Sequence, residues 1–215
     1  MSEIKCILFD FDGTLADTEA GIVDTFKATL ERMGENVLST EAIKSTIGLP
    51  LARQFEMLAH FSPEKVKQAT DTYRIIFQTV GIAGITLFDG VKEALTRLRQ
   101  RGYILGVVSS RHMLSLLQIC DLQGITEYFT TIYGVDRVNR PKPAPDTVLL
   151  ALKELGISPE ESLVVGDTVF DLLMGRNAGC RTCGVTYGNQ SREQLLNESP
   201  DYLVGSLLQL CDIVG

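Results

Sequence analysis

The sequence contains no long apolar segment. No hydrophobic run approaches the roughly 20 residues that a membrane-spanning helix needs. Its first residues also lack the basic stretch and the extended apolar stretch that are typical of a secretory signal. We therefore expect a chain that makes no contact with a membrane and resides in the cytoplasm.

Positive charge is also scarce. The 215 residues include 20 Lys and Arg against 27 Asp and Glu, which gives a formal net charge of -7. Nucleic-acid-binding proteins neutralise backbone phosphates with Lys and Arg, so this balance argues against a nucleic-acid partner. A phosphate ligand would have to be held by a local cation, such as a bound metal ion, and by a few directed donors.

Histidine and cysteine are too scattered to indicate a zinc site. The chain has two histidines, His60 and His112, and five cysteines. Cys180 and Cys183 form one C-x-x-C pair, but a zinc site needs further ligands and both histidines lie far away in sequence. An odd number of cysteines without a framework spacing is typical of reduced intracellular thiols.

Short apolar segments alternate with helical patterns over most of the chain. The apolar segments show no polar alternation, which is typical of strands buried on both faces. Each helical pattern is followed within a residue or two by a glycine. This alternation predicts an α/β fold with a doubly wound, mostly parallel sheet. The predicted strands are residues 4–9, 104–108, 130–133, 163–165 and 182–185, and the helical patterns between them include residues 91–101, 113–122 and 147–155.

One interval, residues 18–83, interrupts the alternation. It contains no convincing strand, and its helical patterns lie around residues 20–33, 40–47, 51–59 and 63–80. Glycines such as Gly13 and Gly84 flank it and suit hinges, because glycine accommodates backbone angles that other residues resist. We therefore predict a helical cap domain at 18–83, inserted as a lid into an α/β core formed by 1–17 and 84–215.

Two pairs of aspartates follow predicted strands. Asp10 and Asp12 follow the first strand, while Asp167 follows a later strand and Asp171 lies one helical turn beyond it. Open α/β sheets bind ligands at the carboxyl ends of their strands, so these carboxylates should share one crevice. Acidic turns and helix caps have the same appearance. As a site, Asp10, Asp167 and the backbone carbonyl of Asp12 would bind Mg²⁺, which prefers carboxylate oxygens.

Two further elements carry groups that suit a bound phosphate. Ser109 and Ser110 end the predicted strand at 104–108 and would present hydroxyl and N–H groups to an anion, although taken alone they indicate only a helix cap. Lys142 lies among three prolines in R-P-K-P-A-P-D, and the prolines fix the backbone of this loop. A rigidly placed lysine can balance the carboxylates and a transferred phosphoryl group.

Taken in order, these elements resemble the four motifs of the haloacid dehalogenase-like hydrolase superfamily. The matching motifs are D-F-D-G-T-L, the Ser109 element, K-P-x-P-D and G-D-x-x-x-D. The resemblance covers almost the whole chain. The segment after the first motif resembles the helical cap of the superfamily's phosphoglycolate phosphatase and β-phosphoglucomutase branch.

The resemblance implies a role for each motif residue. Asp10 would attack phosphorus to form an aspartyl-phosphate, and Asp12 would protonate the leaving oxygen and later activate water. Ser109 and the following backbone N–H would hold the phosphoryl oxygens, while Lys142 would orient Asp10. The implied metal is Mg²⁺, with Asp10, Asp12, Asp167 and Asp171 as candidate ligands, Asp171 either directly or by orienting the metal's waters or Lys142. The candidate substrate-binding residues are Gly13, Thr14, Ser110 and Arg53.

Individual residues separate the activities within the superfamily. Members that act on carbon–halogen bonds lack an acidic residue at the position of Asp12, and phosphonate-cleaving members carry a small residue there. Sugar-phosphate mutases share the catalytic residues but use a cap histidine where this sequence has Ile22. The nearest cap histidine, His60, is interpreted as a surface or packing residue. A phosphatase is therefore favoured, with a mutase as the alternative.

The substrate is less well defined by the sequence. Arg53, in a turn that resembles the specificity loop of the cap, is a candidate for binding a carboxylate or a second phosphate, and an exposed helical arginine is the alternative. Arg111 and His112 are candidates for the cavity rim. The family branch makes phosphoglycolate the first expectation and pyrophosphate the next.

A non-enzymatic interpretation also fits part of the pattern. Aspartates at a strand end, with a serine and a lysine, resemble a signalling module that binds Mg²⁺, accepts a phosphoryl group and changes partners. A lid of roughly sixty residues argues against this, because such a lid is better explained by sequestering a small molecule from water. We expect an enzyme that acts on a small phosphorylated metabolite as a monomer or homodimer.

Overall fold

The structure, a computed structural model, describes residues 3–214. Strands and helices alternate along most of this length, as the sequence predicts. The strands are β1 (Cys6–Phe9), β2 (Ala16–Asp17), β3 (Thr86–Leu87), β4 (Ile104–Val108), β5 (Thr131–Tyr133), β6 (Ser162–Gly166), β7 (Arg181–Val185) and β8 (Tyr202–Val204). The helices are α1 (Glu19–Arg32), α2 (Thr40–Lys44), α3 (Leu51–Ala59), α4 (Pro63–Phe77), α5 (Val91–Gln100), α6 (Met113–Leu122), α7 (Asp146–Leu155), α8 (Val169–Asn177), α9 (Arg192–Asn197) and α10 (Leu207–Ile213).

Six of the strands form one parallel sheet in the order β5-β4-β1-β6-β7-β8. β1 lies inside it, where Phe9 is in register with Val107 of β4 and with Val165 of β6. The strand order reverses at β1, since β4 and β5 lie on one side and β6 to β8 on the other. Open α/β sheets bind ligands at such a switch point. The predicted doubly wound, mostly parallel sheet is confirmed.

Helices cover both faces of the sheet. Alternate residues of each strand point to opposite faces, so each strand packs against helices on both sides. Ile7 and Phe9 of β1 belong to the hydrophobic cluster that includes residues of α5, α6 and α10. Cys6 and Leu8 pack instead with residues of α7 and α8. All four side chains are fully buried. The continuous apolar run of β1 therefore reflects a strand that is covered on both sides.

Helices α1 to α4 occupy the interval that interrupts the alternation. α1 packs on α2 and α4, and α3 packs on α2 and α4. Part of this packing is aromatic: the Phe26 ring stacks on Phe55 with 4.2 Å between centroids, and Tyr73 stacks on Phe77 at 5.8 Å. The antiparallel pair of β2 and β3 lies where the chain enters and leaves this interval. The four predicted helices are present, and the boundaries of a separate cap domain stay a prediction.

The structure differs from the predicted elements mainly in short segments. β2 and β3 have two residues each, β8 has three, and α9 and α10 have six and seven. Hydrophobic periodicity needs more residues than this to become visible, so the sequence pattern does not predict these elements. The helix predicted at residues 40–47 is shorter and ends at Lys44. Among residues 3–214, no helix has both the length and the apolar composition needed to cross a membrane.

Candidate active site

Four strands place polar side chains at one edge of the sheet, beyond their carboxyl ends. Asp10 follows β1, Ser109 follows β4, Asp167 follows β6, and Asn189 lies in the loop after β7. The backbone N–H of Asp10 donates to the carbonyl oxygen of Val165 at 2.8 Å and holds Asp10 beside β6. Asp10, Ser109 and Asp167 are all buried. The strand order thus assembles residues that lie far apart in the sequence.

Lys142 forms two buried ion pairs within this group. Its Nζ donates to Asp10 Oδ1 at 2.6 Å and to Asp171 Oδ1 at 2.5 Å. Burial by itself would lower the pKa of an amine, but the two carboxylates outweigh it and raise the pKa of Lys142 above its ordinary value. Lys142 is therefore a fixed positive charge. Within residues 3–214, no donor contacts the other oxygen of Asp10, Oδ2.

Three buried carboxylates lie close together at this place. Asp10, Asp167 and Asp171 each have a carboxylate oxygen within 4.8 Å of those of the other two. Burial, followed by repulsion from Asp171, raises the pKa of Asp10 well above its ordinary value and raises the pKa of Asp167 to about 7. When all three are ionised, they carry more negative charge than Lys142 alone balances. Buried carboxylate oxygens with excess negative charge are a suitable donor set for a divalent cation.

Neighbouring donors fix the orientation of Asp167. Thr14 Oγ1 donates to Oδ1 at 3.0 Å, and the backbone N–H and Nδ2 of Asn189 both donate to Oδ2 at 2.7 Å. Gly13 has a φ of 84°, and a Cβ there would collide with the Asp167 carboxylate. Gly13 and Thr14, predicted as substrate-binding residues, thus contact Asp167. Asn189 belongs to none of the sequence motifs, although its position beyond a strand at the same sheet edge is a usable signal.

Asp171 uses both of its oxygens inside the protein. Oδ1 accepts from Lys142, while Oδ2 accepts from the backbone N–H of Thr168 at 3.0 Å and from the Thr168 hydroxyl at 2.7 Å. The contact with the Thr168 backbone N–H belongs to the capping box that begins α8. This arrangement favours the role of positioning Lys142 over direct contact with a metal.

The two serines after β4 make different contacts. Ser109 is buried, and its Oγ accepts from the backbone N–H of Arg111 at 3.1 Å. Ser110 Oγ donates to the carbonyl oxygen of Gly48 at 2.7 Å. Gly48 lies in the turn before α3 and has a φ of 100°, in the region that favours glycine. The Ser110 hydroxyl therefore joins the loop after β4 to the helical segment, the part of the chain that contains helices α1 to α4 (residues 18–83).

Asp12 forms a two-point ion pair with Arg111. Nη2 of Arg111 donates to Oδ1 at 2.5 Å, and Nε donates to Oδ2 at 3.1 Å. The guanidinium lies 4.5 Å from the ring centroid of Phe77 in α4. Burial opposes the charged form of Arg111, but the Asp12 carboxylate outweighs it and raises the pKa of Arg111. Arg111, predicted only as a candidate for the rim, thus pairs with one of the predicted catalytic residues.

A cavity of about 260 Å³ lies between the strand ends and the helical segment. Ligand pockets usually measure roughly 300–1,000 Å³, so this cavity suits a small molecule. The core contributes mainly acidic and hydroxyl groups, whereas the helical segment contributes mainly apolar ones. The core residues on its wall include Asp10, Asp12, Ser109, Ser110 and Arg111, and those of the helical segment include Ile22, Gly48, Thr70, Tyr73 and Phe77.

The other predicted candidates lie in different places. Arg53 is exposed, pairs with Glu56 at 2.5 Å, and lines a neighbouring cavity instead. His60 is exposed at the end of α3. His112 lines the cavity, with its Nε2 3.8 Å from a carboxylate oxygen of Asp136. The structure therefore brings His112 to the cavity, and it does not bring Arg53 or His60 there.

Known proteins match this chain over most of its length. The family model of the haloacid dehalogenase-like hydrolases matches residues 7–185. The probable phosphatase IndB of Dickeya dadantii is 36% identical over 208 residues, which cover 95% of this chain and 90% of that protein. Pyrophosphatase PpaX of Bacillus velezensis is 33% identical over 212 residues, which cover 99% of this chain and 97% of that protein.

A solved structure shows the same fold. It is a haloacid dehalogenase-like family hydrolase from Streptococcus pneumoniae, with a TM-score of 0.88, 28% identity and matched regions that cover 100% of both chains. Together with the motifs at the strand ends, these matches show that the chain belongs to the haloacid dehalogenase-like hydrolases.

Proposed function

We propose that this enzyme is a Mg²⁺-dependent phosphohydrolase that uses Asp10 as its nucleophile. The ion pair between Lys142 and Asp10 carries the proposal, because it fixes a buried carboxylate on the wall of the cavity that Asp12 and Ser109 also line. Lys142 engages one oxygen of Asp10 and leaves Oδ2 available for attack. The phosphatase and pyrophosphatase names of the relatives support transfer of a phosphoryl group to water.

The proposed reaction has two displacements at phosphorus. Oδ2 of Asp10 attacks the phosphorus, the bond to the leaving oxygen breaks, and Asp12 gives a proton to that oxygen. Water then attacks the phosphorus of the aspartyl-phosphate and gives a proton to Asp12. The bond between phosphorus and Oδ2 of Asp10 breaks, phosphate is released, and both carboxyl groups return to their starting states. Ser109 and the next backbone N–H would bind the phosphoryl oxygens, while Lys142 would offset their charge.

Asp10, Asp167 and the backbone carbonyl of Asp12 are the proposed ligands of Mg²⁺. The excess negative charge of the buried cluster supports this assignment, as does the orientation of Asp167 by Thr14 and Asn189. Mg²⁺, when bound, would supply positive charge to the phosphoryl oxygens and to the carboxylates.

We expect Mg²⁺ to stabilise the protein more at pH 8 than at pH 5. The pKa of Asp167 is raised to about 7 in the folded protein without metal, so protons compete with the cation at pH 5 and much less at pH 8. In the unfolded chain, the Asp167 carboxyl has its ordinary pKa of roughly 4 and loses its proton at a lower pH than in the folded protein. Because the folded protein binds this proton more tightly, the free energy of unfolding of the metal-free protein falls as the pH rises from about 4 to about 7. Thermal melts with Mg²⁺ and with EDTA at both pH values measure the difference.

Asp167→Asn provides the matched test of this ligand. The variant should lose most of the Mg²⁺-dependent rise in Tm at both pH values, whereas Asp212→Asn, at an exposed position in α10, should keep it. An undiminished Mg²⁺ effect in Asp167→Asn would contradict the proposed metal site.

We propose phosphoglycolate as the first substrate to test and pyrophosphate as the second. The small cavity suits either compound, and the similarity to pyrophosphatase PpaX supports testing pyrophosphate. A panel of small phosphate esters and pyrophosphate, assayed with and without Mg²⁺, should show Mg²⁺-dependent release of many equivalents of phosphate per chain. Release that stops at one equivalent would indicate a stoichiometric phosphoacceptor and contradict the proposal.

A sugar-phosphate mutase is the second candidate, and the cavity wall offers it little support. Ile22, at the position of the mutase histidine, lines the cavity, while His60 is exposed. Given a sugar monophosphate and its bisphosphate, the enzyme should release phosphate without interconverting isomers. Isomer formation at a comparable rate would favour the mutase.

We propose that the helical segment at residues 18–83 acts as a lid over Asp10. The hydrogen bond from Ser110 to Gly48 and the stacking of Arg111 on Phe77 connect the segment with the strand ends. A lid that closes on these contacts would exclude bulk water from the aspartyl-phosphate, except for the water that hydrolyses it.

A further inference from the structure

Arg111 is the most enclosed cation on the wall of the cavity. Its side chain is 8% exposed, whereas Arg74, which also lines the cavity, is exposed and lies 3.6 Å from Asp71. The Phe77 ring covers one face of the Arg111 guanidinium. Arg111 is therefore held on the cavity wall by a cation–π contact with Phe77 and by a 3.3 Å hydrogen bond from its Nη1 to Ser115 Oγ, and neither contact depends on Asp12.

The partner of Arg111 is the residue that the proposed reaction needs for proton transfer. Both oxygens of Asp12 accept hydrogen bonds from the guanidinium. While they do so, the carboxylate faces the guanidinium and the two-point pairing fixes that orientation, so Asp12 does not turn an oxygen towards a leaving group. The pair must open before Asp12 can protonate a leaving oxygen.

A group that replaces Asp12 on the guanidinium must be an anion with two oxygens that can accept its hydrogen bonds. A guanidinium binds planar or tetrahedral oxyanions through two parallel hydrogen bonds, and a neutral hydroxyl cannot replace them. Across the cavity, Thr70 of α4 has a buried hydroxyl without a hydrogen-bond partner. Buried hydroxyls are normally hydrogen-bonded, so this one also indicates space for a polar ligand group.

We propose that Arg111 selects substrates with a second anionic group, which replaces the Asp12 carboxylate on the guanidinium and so frees Asp12 for proton transfer. This inference rests on the proposed phosphohydrolase function. The second group is a carboxylate in phosphoglycolate and a phosphoryl group in pyrophosphate. A phosphate ester with an uncharged remainder leaves the pair of Arg111 and Asp12 closed and is a poor substrate.

Matched substrates test the inference in the unmodified enzyme. Phosphoglycolate and 2-hydroxyethyl phosphate differ mainly in the charge of the group remote from the phosphoryl group, and pyrophosphate supplies the alternative anion. The expected kcat/KM for phosphoglycolate or for pyrophosphate is about 10- to 100-fold higher than for 2-hydroxyethyl phosphate, the range for loss of charged hydrogen bonds. The more reactive of the two anionic compounds identifies which anion the site prefers.

Variants at Arg111 locate the origin of the preference. Arg111→Met keeps an apolar chain against Phe77 and should reduce the preference to less than about 3-fold, mainly by lowering kcat/KM for the substrate with two anionic groups. Arg111→Lys keeps the charge without the two-point geometry and should give an intermediate preference. Arg97→Met, an exposed arginine that pairs with Glu93 in α5, is the control and should behave as the parent enzyme.

Binding gives a second readout that does not depend on turnover. In the Asp10→Asn background, calorimetry should show tighter binding of phosphoglycolate than of 2-hydroxyethyl phosphate, and Arg111→Met should remove the difference. Equal kcat/KM for the two esters in the parent enzyme would overturn the inference, as would an equal loss for both in Arg111→Met. Either result leaves the proposed function intact, whereas a parent enzyme that hydrolyses no phosphate compound contradicts the proposed function itself.

Discussion

Replacing Asp10 by asparagine is expected to lower kcat for every phosphate substrate by at least about 10⁴-fold, the scale seen when a catalytic nucleophile is removed. The amide has nearly the same shape as the carboxylate, but its oxygen is too weak a nucleophile to displace the leaving group. Lys142 can still donate to that oxygen, so the geometry around it should persist. The loss therefore reports on the chemistry of Asp10 and not on its packing.

The same variant should fold as well as the parent protein. Burial and the neighbouring carboxylates raise the pKa of Asp10 well above its ordinary value, so the folded state disfavours its charge. A neutral amide relieves part of that repulsion. We expect Asp10→Asn to keep its Tm or to raise it, as measured by circular dichroism with EDTA. Residual activity above a few per cent in a folded variant would exclude Asp10 as the nucleophile.

Lys142→Met is expected to lower both stability and activity. Methionine leaves Asp10 and Asp171 in a buried site without their cation, and breaking a buried ion pair in this way costs about 3–5 kcal/mol of unfolding free energy. The variant also loses the positive charge beside the phosphoryl group, which should lower kcat by roughly 10²- to 10³-fold. Urea unfolding and steady-state kinetics, each well below the Tm, measure the two losses separately.

A lysine on the surface provides the control for Lys142. Lys153→Met, at an exposed position in α7, removes the same charge and should change stability by less than about 0.5 kcal/mol. If Lys142→Met has the same free energy of unfolding as Lys153→Met, the ion pairs of Lys142 with Asp10 and Asp171 do not stabilise the fold. If it loses stability and keeps kcat, Lys142 has a structural role alone.

The placement of three candidate residues at one edge of the sheet could be predicted because it follows from strand order. Asp10, Ser109 and Asp167 come directly after buried apolar runs, and parallel strands bring their carboxyl ends to one edge. No knowledge of side-chain packing is needed for that inference. Asn189 lies further beyond the end of β7, beside other polar residues such as Gln190 and Ser191, and no motif singles it out.

The partners of these residues could not be predicted in the same way. Arg53 and Arg111 have similar chemistry in the sequence, and only the tertiary structure separates an arginine that pairs with Glu56 on an exposed helix face from one enclosed beside Asp12. Side-chain partners depend on how helices of distant sequence pack over the sheet, as Phe77 shows. Local sequence does not contain that information.

The stereochemical course at phosphorus tests the central claim most directly. A chiral, isotope-labelled phosphorothioate analogue of the preferred substrate, hydrolysed in isotopically labelled water, reports how many in-line displacements occur. Each displacement inverts the configuration, so attack by Asp10 followed by attack of water predicts overall retention. Overall inversion would show that water attacks the substrate directly, and it would contradict an aspartyl-phosphate on Asp10.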